Sequence, residues 1–137
     1  MNDIVINKIQ SIQRCITRAR AEFNADPDGF ATNFTRQDAA VMNVLRACEQ
    51  SIDLANHLIK THKMGVPTSS SESFALLADL NVIDNDLRQK LTNMVHFRNM
   101  IVHQYQKMDI AIVAAVIENG LDDLVKLGDD ILAWTPK

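Results

Sequence analysis

Two cysteines, one tryptophan, one tyrosine, five phenylalanines, four glycines and three prolines are all that 137 residues hold of the types that staple, stack or bend a small protein. Cys15 and Cys48 are too few for a disulfide framework and match no metal-ligand spacing, so two buried thiols in a reducing environment are expected. Aromatics at 5% together with so little Gly and Pro speak against an all-β fold and for helices. No apolar run approaches the roughly 20 residues that a membrane span needs. The opening MNDIVINKIQ carries Asp3 and lacks the unbroken apolar stretch of a secretion signal, so a cytoplasmic protein is expected. Repeats, low-complexity tracts and a linker are missing too, and one domain over residues 1–137 is expected. The net charge of −3 gives no global attraction for nucleic acid.

What is present is helical periodicity. Ile4 or Val5, Ile9, Ile12, Ile16, Ala19 and Phe23 recur at helix spacing from Asn2 onward, and NADPDG ends that pattern. The longest pattern follows, with Val41, Leu45, Cys48, Ile52, Ala55 and Ile59 on one stripe; Thr35 and Asp38 at its start have the spacing of a capping box. MGVPTSS reads as a loop and SSESFALLADL as a short capped helix. DLRQKLTNMVHFRNMIVHQY is a fourth helical pattern, and DIAIVAAVIENGLDDLVKLGDDILAW a last long one with Gly120 as a weak point. The fold class implied is all-α, an up-and-down bundle of four to five helices.

The fourth pattern holds an oddity, HFRNMIVHQYQK, from His96 to Lys107. Its apolar seam runs Leu87, Leu91, Met94, Arg98, Ile101, Tyr105, which puts an arginine at a core position. A guanidinium cannot shed its charge there, so it needs an acid, carbonyls, a cleft or a bound anion. Glu49 and Asp53, four apart near the stripe of the second helix, are the candidate partners. The segment from Leu87 to Lys107 also carries four bases (Arg88, Lys90, Arg98, Lys107) and no acid, a local basic patch in an acidic chain.

His103 lies five residues after Arg98, about 140° around a regular helix. For both to serve one site, either the helix loosens between them or two copies meet across an axis so that each histidine faces the other chain's arginine. Asn99 shares the face of His103. An imidazole can take a proton from a ribose 2′-hydroxyl or give one to a leaving oxygen, and an arginine can hold the phosphate; that route to phosphodiester cleavage needs no metal.

RNMIVHQY resembles the Arg-x4-His-x-Tyr motif of the HEPN superfamily and, within it, of the HepT-like toxins of MntA–HepT toxin–antitoxin modules. MNDIVINKI, LRACEQSIDLANHLI and GVPTSSSESFALLADLNVI stand in the order and spacing of that family, so the resemblance covers nearly the whole chain. It implies a helical HEPN homodimer acting as a metal-independent endoribonuclease without a cofactor, with Arg98 on the scissile phosphate, His103 as general acid or base and Asn99 orienting them. Tyr105 matches the tyrosine that the partner nucleotidyltransferase antitoxin adenylylates from ATP; the added bulk and negative charge would exclude RNA. An acidic chain implies a small footprint on a structured RNA such as tRNA.

Other features have blander readings. Glu49, Asp53, His57 and His62 could be drawn as a metal site, but one helix rarely closes one, and a solvated or ion-paired face is favoured, with Asp53 and Glu49 standing behind Arg98 to hold its charge. His96 is a neighbour of the motif, MGVPTSSS lacks the Gly-Lys-Ser/Thr of a phosphate loop, and the methionines are packing residues. The six acids that follow Lys107, against Lys126 and Lys137, form a solvated face or a contact for a basic antitoxin. Two rival functions stand beside the nuclease: a non-catalytic substrate-binding subunit of a nucleotidyltransferase, and a helical interaction protein in which Arg98 ties the bundle together.

Overall fold

The structure is a computed structural model that describes residues 3–136. Its elements are α1 (Asp3–Asn24), α2 (Phe34–Thr61), α3 (Ser70–Asp79), α4 (Asn85–Gln104), α5 (Ile110–Ala115) and α6 (Leu121–Ala133), with short 3₁₀ turns at Phe30–Thr32 and Tyr105–Lys107. A π-helical turn, Val116–Gly120, joins α5 to α6, so the bundle has five helical rods and, among the described residues, no strand. The all-helical expectation holds. Asn2, the expected start of the first helix, and Lys137 lie outside the described residues.

Helix α1 buries Val5, Ile9, Ile12, Cys15, Ile16, Ala19 and Phe23, the stripe that steps of three and four dictate, with Val5 and not Ile4 as its first member. It packs against α2, the longest helix, whose Val44, Leu54, Ala55 and Leu58 are almost fully buried. The corner between them is closed by an edge-to-face pair, Phe23 on Phe30, with centroids 5.1 Å apart. An Arg36–Glu22 ion pair at 3.3 Å spans the same corner. Both thiols are free and buried, as expected. Burial, reinforced by neighbouring Glu49 and offset by Arg98, pushes Cys48 up to about 12.

Helix α2 starts two residues before the capping-box expectation. Asn33 is the N-cap, its side chain accepting from the Arg36 N–H, and Thr35 lies inside the first turn. Asp38 is therefore not a capping residue and is left for other work. The far end of α2 closes with Met64 N–H donating to Ile59 C=O and Lys63 N–H to Lys60 C=O, a Schellman arrangement with Lys63 at φ 53°. Helix α3 ends the same way through Asn81, at φ 61°. Its N-cap is Ser69, and that of α4 is Asp84, which accepts from Leu87 N–H at 2.8 Å.

The weak point expected at Gly120 is the π turn. Arg20 of α1 braces it: Nε donates to the Ile117 carbonyl at 3.2 Å and Nη2 to Asp122 Oδ1 at 2.7 Å, satisfying a carbonyl at the place where the helical ladder changes pitch. No helix among the described residues is long and apolar enough to cross a membrane.

Candidate functional site

Helix α4 carries the motif, and its apolar stripe decides how each motif residue is presented. Leu87, Leu91, Met94, Val95, Phe97 and Ile101 are buried against α2, α3 and α6. Arg98 sits at the margin of that stripe with 21% of its side chain exposed, so the core position expected for it is an edge position. Its Nε lies 3.0 Å from Glu49 Oε1 of α2, and its Nη2 donates to Ser70 Oγ at the start of α3 at 3.1 Å. The Nε N–H does not point along the line to Glu49, so that contact is an ion pair and not a hydrogen bond. The guanidinium is held from two helices, and its Nη1 group has no partner among the described residues.

Of the two candidate acids, Glu49 is the partner. Asp53 is exposed and makes no contact with Arg98 among the described residues, which corrects the expectation that it stands behind the arginine. One turn along α2 carries Asp53 past the α4 edge into solvent. The drawn metal set does not assemble either: among the described residues no three His, Cys, Asp or Glu side chains are grouped to hold a metal ion. His57 contacts Thr61 on its own helix, and His62 packs edge-to-face on Trp134, with centroids 5.0 Å apart.

The helix is continuous from Arg98 through His103, so the two do not come to one face by loosening of α4. Asn99 is half-buried and His103 exposed, neither with a hydrogen-bond partner among the described residues. Helix α4 ends at Gln104, whose backbone leaves helical space at φ −140° and ψ 33°. Tyr105 consequently does not continue the buried seam: it opens a 3₁₀ turn and is 42% exposed. This corrects its placement on the core stripe.

The hydroxyl of Tyr105 donates to Asp38 of α2. Burial, then the hydrogen bond and the negative charge of Asp38, push the phenol up to about 12. Beside this pair lies an open cleft of about 620 Å³ lined by Phe34, Gln37, Asp38, Tyr105, Met108, Asp109 and their neighbours. Neither Ser70 nor Asp38 was singled out from the sequence as a partner for the motif. The cap at Ser69 marks the start of α3 and so hints at Ser70, whereas nothing in the sequence ties Asp38 to a tyrosine 67 residues away.

A guanidinium fixed from two sides and an exposed imidazole thus stand on successive turns of one helix, in an all-helical bundle with a tyrosine at the helix exit, the arrangement that the resemblance of the motif implies. The chain belongs to the HepT-like family: the family described as Ribonuclease HepT-like matches residues 12–131. The mRNA nuclease HepT of Shewanella oneidensis is 43% identical over 133 residues, covering 97% of this chain and 99% of the relative. The tRNA nuclease HepT of Aphanizomenon flos-aquae is 21% identical over 106 residues, 77% of this chain and 72% of the relative. Among solved structures, a tri-AMPylated Shewanella oneidensis HEPN toxin in complex with MNT antitoxin superposes with a TM-score of 0.92 at 42% identity, covering 98% of this chain and 100% of that one. A toxin–antitoxin structure with AMP-PNP superposes with a TM-score of 0.91 at 41% identity, over 97% and 100% of the two chains.

Proposed function

We propose that this chain is the ribonuclease toxin of a toxin–antitoxin pair, that two copies form its active cleft, and that a nucleotidyltransferase antitoxin silences it by adenylylating Tyr105. The observation that carries the nuclease reading is the unequal treatment of two residues on one uninterrupted helix. Arg98 is pinned by Glu49 and Ser70, while His103 is left to solvent on another face. A structural ion pair accounts for the first and leaves the second without a role. A second copy across a two-fold axis accounts for both, since an isologous contact brings each His103 to the other chain's Arg98. Val102 and Ile112, large apolar side chains about half exposed at the end of α4 and the start of α5, support such a contact.

In that cleft Arg98 holds the scissile phosphate with the N–H groups left over from Glu49 and Ser70, and meets the charge that grows on it during transfer. His103 takes the proton of the ribose 2′-hydroxyl or returns one to the leaving oxygen, and Asn99, on its face, orients the pair. Tyr105 is the one tyrosine of the chain, so a tyrosine-linked AMP has a single acceptor. The substrate we propose is a structured RNA such as tRNA. Because the relative similar over nearly the whole chain is an mRNA nuclease, a tRNA and an mRNA are both assay substrates.

The test is complementation. Arg98→Ala and His103→Ala homodimers should each lose cleavage by about 10²-fold or more while keeping helical circular dichroism. Mixed and allowed to reassort, half the dimers carry one intact Arg–His site, and about a quarter of the parental activity should return. No recovery in demonstrably mixed dimers would place Arg and His of one chain in one site. A His103→Ala homodimer that cuts like the parent would favour the substrate-binding subunit.

A further inference from the structure

Resting on the assignment of Tyr105 as acceptor, we propose that Asp38 is the proton acceptor for its adenylylation, so that the toxin itself supplies the base for its own silencing. For AMP to reach the tyrosine, the phenolic oxygen must bond to the α-phosphorus of ATP as the bond from that phosphorus to the bridging oxygen breaks and pyrophosphate leaves. One proton must also leave the phenol. With the phenol raised to about 12, the phenolate is roughly one part in 10⁵ at neutral pH, so the proton has to move as the new bond forms. Transfer to a positioned carboxylate meets that need in phosphoryl transfer to hydroxyls.

Asp38 is the hydroxyl's hydrogen-bond partner, so the donor–acceptor line for the transfer already exists before any antitoxin binds. The other carboxylate on this cleft, Asp109, is committed: its Oδ1 caps α5 by accepting from Ala111 N–H at 2.9 Å. The open cleft leaves room for a triphosphate to approach the phenolic oxygen, with Phe34, 73% exposed, as an apolar wall. Once Asp38 has taken the proton it is neutral, and the new phosphodiester is not repelled by it.

The experiment uses the full chain with its cognate nucleotidyltransferase and ATP, following the gain of AMP mass over time. Asp38→Asn keeps an oxygen to accept the phenolic hydrogen bond and loses the ability to take a proton. Its kcat at saturating toxin should fall by about 10²-fold at pH 7 with the melting temperature unchanged. The deficit relative to the parent should narrow as pH rises towards 10, because a phenol freed from the carboxylate ionises nearer its ordinary value and the phenolate needs no base. Modification at the parental rate at pH 7 would make Asp38 only a tether, faster modification would make it a restraint, and a deficit that does not change with pH would make it structural; each overturns the proposal. Tyr105→Phe separates the two levels: if it gains AMP as the parent does, the acceptor itself is wrong, whatever Asp38→Asn does.

Discussion

The α1–α2 pair and the end of α4 are built to opposite rules. Along α1 and α2 the buried stripes are almost wholly apolar, with Ala19, Ala40, Ala47, Leu54 and Ala55 fully buried and the buried Ser51 hydroxyl satisfied by the Ala47 carbonyl of its own helix. Over the last turn of α4 and the turn that follows, Val102, His103 and Tyr105 all face solvent, and the ordered polar contacts reach away to other helices, Arg98 to Glu49 and Ser70 and Tyr105 to Asp38. One region exchanges apolar area for stability; the other places groups whose value lies in what they can touch. The two should therefore respond to substitution through different measurements.

His103→Ala and Leu54→Ala put this contrast to its largest test. His103 is exposed, so its loss should leave thermal stability within about 0.5 kcal/mol while RNA cleavage falls by about 10²–10⁴-fold. Leu54, with no exposure, should cost about 2–5 kcal/mol of stability, and the fraction that stays folded should cut RNA at the parental rate. Melting curves and single-turnover cleavage on both variants decide it. If His103→Ala destabilised the protein as Leu54→Ala does, the end of α4 would belong to the core and the contrast would be false.

The same division marks how far the sequence could be read. Apolar periodicity and the loop signals between the patterns placed the helices, because each depends only on neighbours a few positions away; the caps Ser69 and Asp84 came from the structure. The partner of Arg98 depends on how α2 is rotated about its own axis, and two acids one turn apart fit the period equally well until packing selects Glu49. Asp38 matched a capping box with Thr35 until Asn33 took the cap. Tyr105 fitted the seam because no Gly or Pro marks the end of α4; the helix stops at Gln104, where φ −140° and ψ 33° leave helical space without a side-chain cap. Site geometry was legible where it is local; where it joins α4 to α2 it was narrowed to two acids for Arg98 and missed for Tyr105.

Alkaline titration probes both regions at once and has a smaller effect. Cys48 and Tyr105 are each raised to about 12 in the folded protein, from 9.0 and 10.0. Above those ordinary values the unfolded chain releases protons that the folded chain keeps, so stability falls with rising pH. It should be unaffected at neutral pH and decline between about pH 9 and 12. The buried Cys48 should dominate, on the order of a few kcal/mol at the upper end, since exposure of Tyr105 screens its share. Cys48→Ala should flatten most of that decline in urea melts taken across the range, and Tyr105→Phe little of it. The reverse order would mean that the Tyr105–Asp38 contact is as closed to solvent as the core.

The smallest effect is expected at the joint that belongs to neither region. Gly120 ends the π turn at φ −65° and ψ −32°, values any residue adopts, and an added Cβ would meet Val116 Cγ1 at 3.4 Å and Met94 Sδ at 3.6 Å, ordinary contact distances. Gly120→Ala should therefore stabilise the folded chain by about 0.4–1 kcal/mol through the lost freedom of the unfolded one, raising the melting temperature by a few degrees and leaving cleavage unchanged. The brace from Arg20 to the Ile117 carbonyl and Asp122 gives the turn an anchor that does not involve Gly120. A destabilised Ala variant would show that the joint between α5 and α6 needs glycine's freedom to move. Cleavage would then fall with stability, and the division between a packed half and a working half would have to include a hinge.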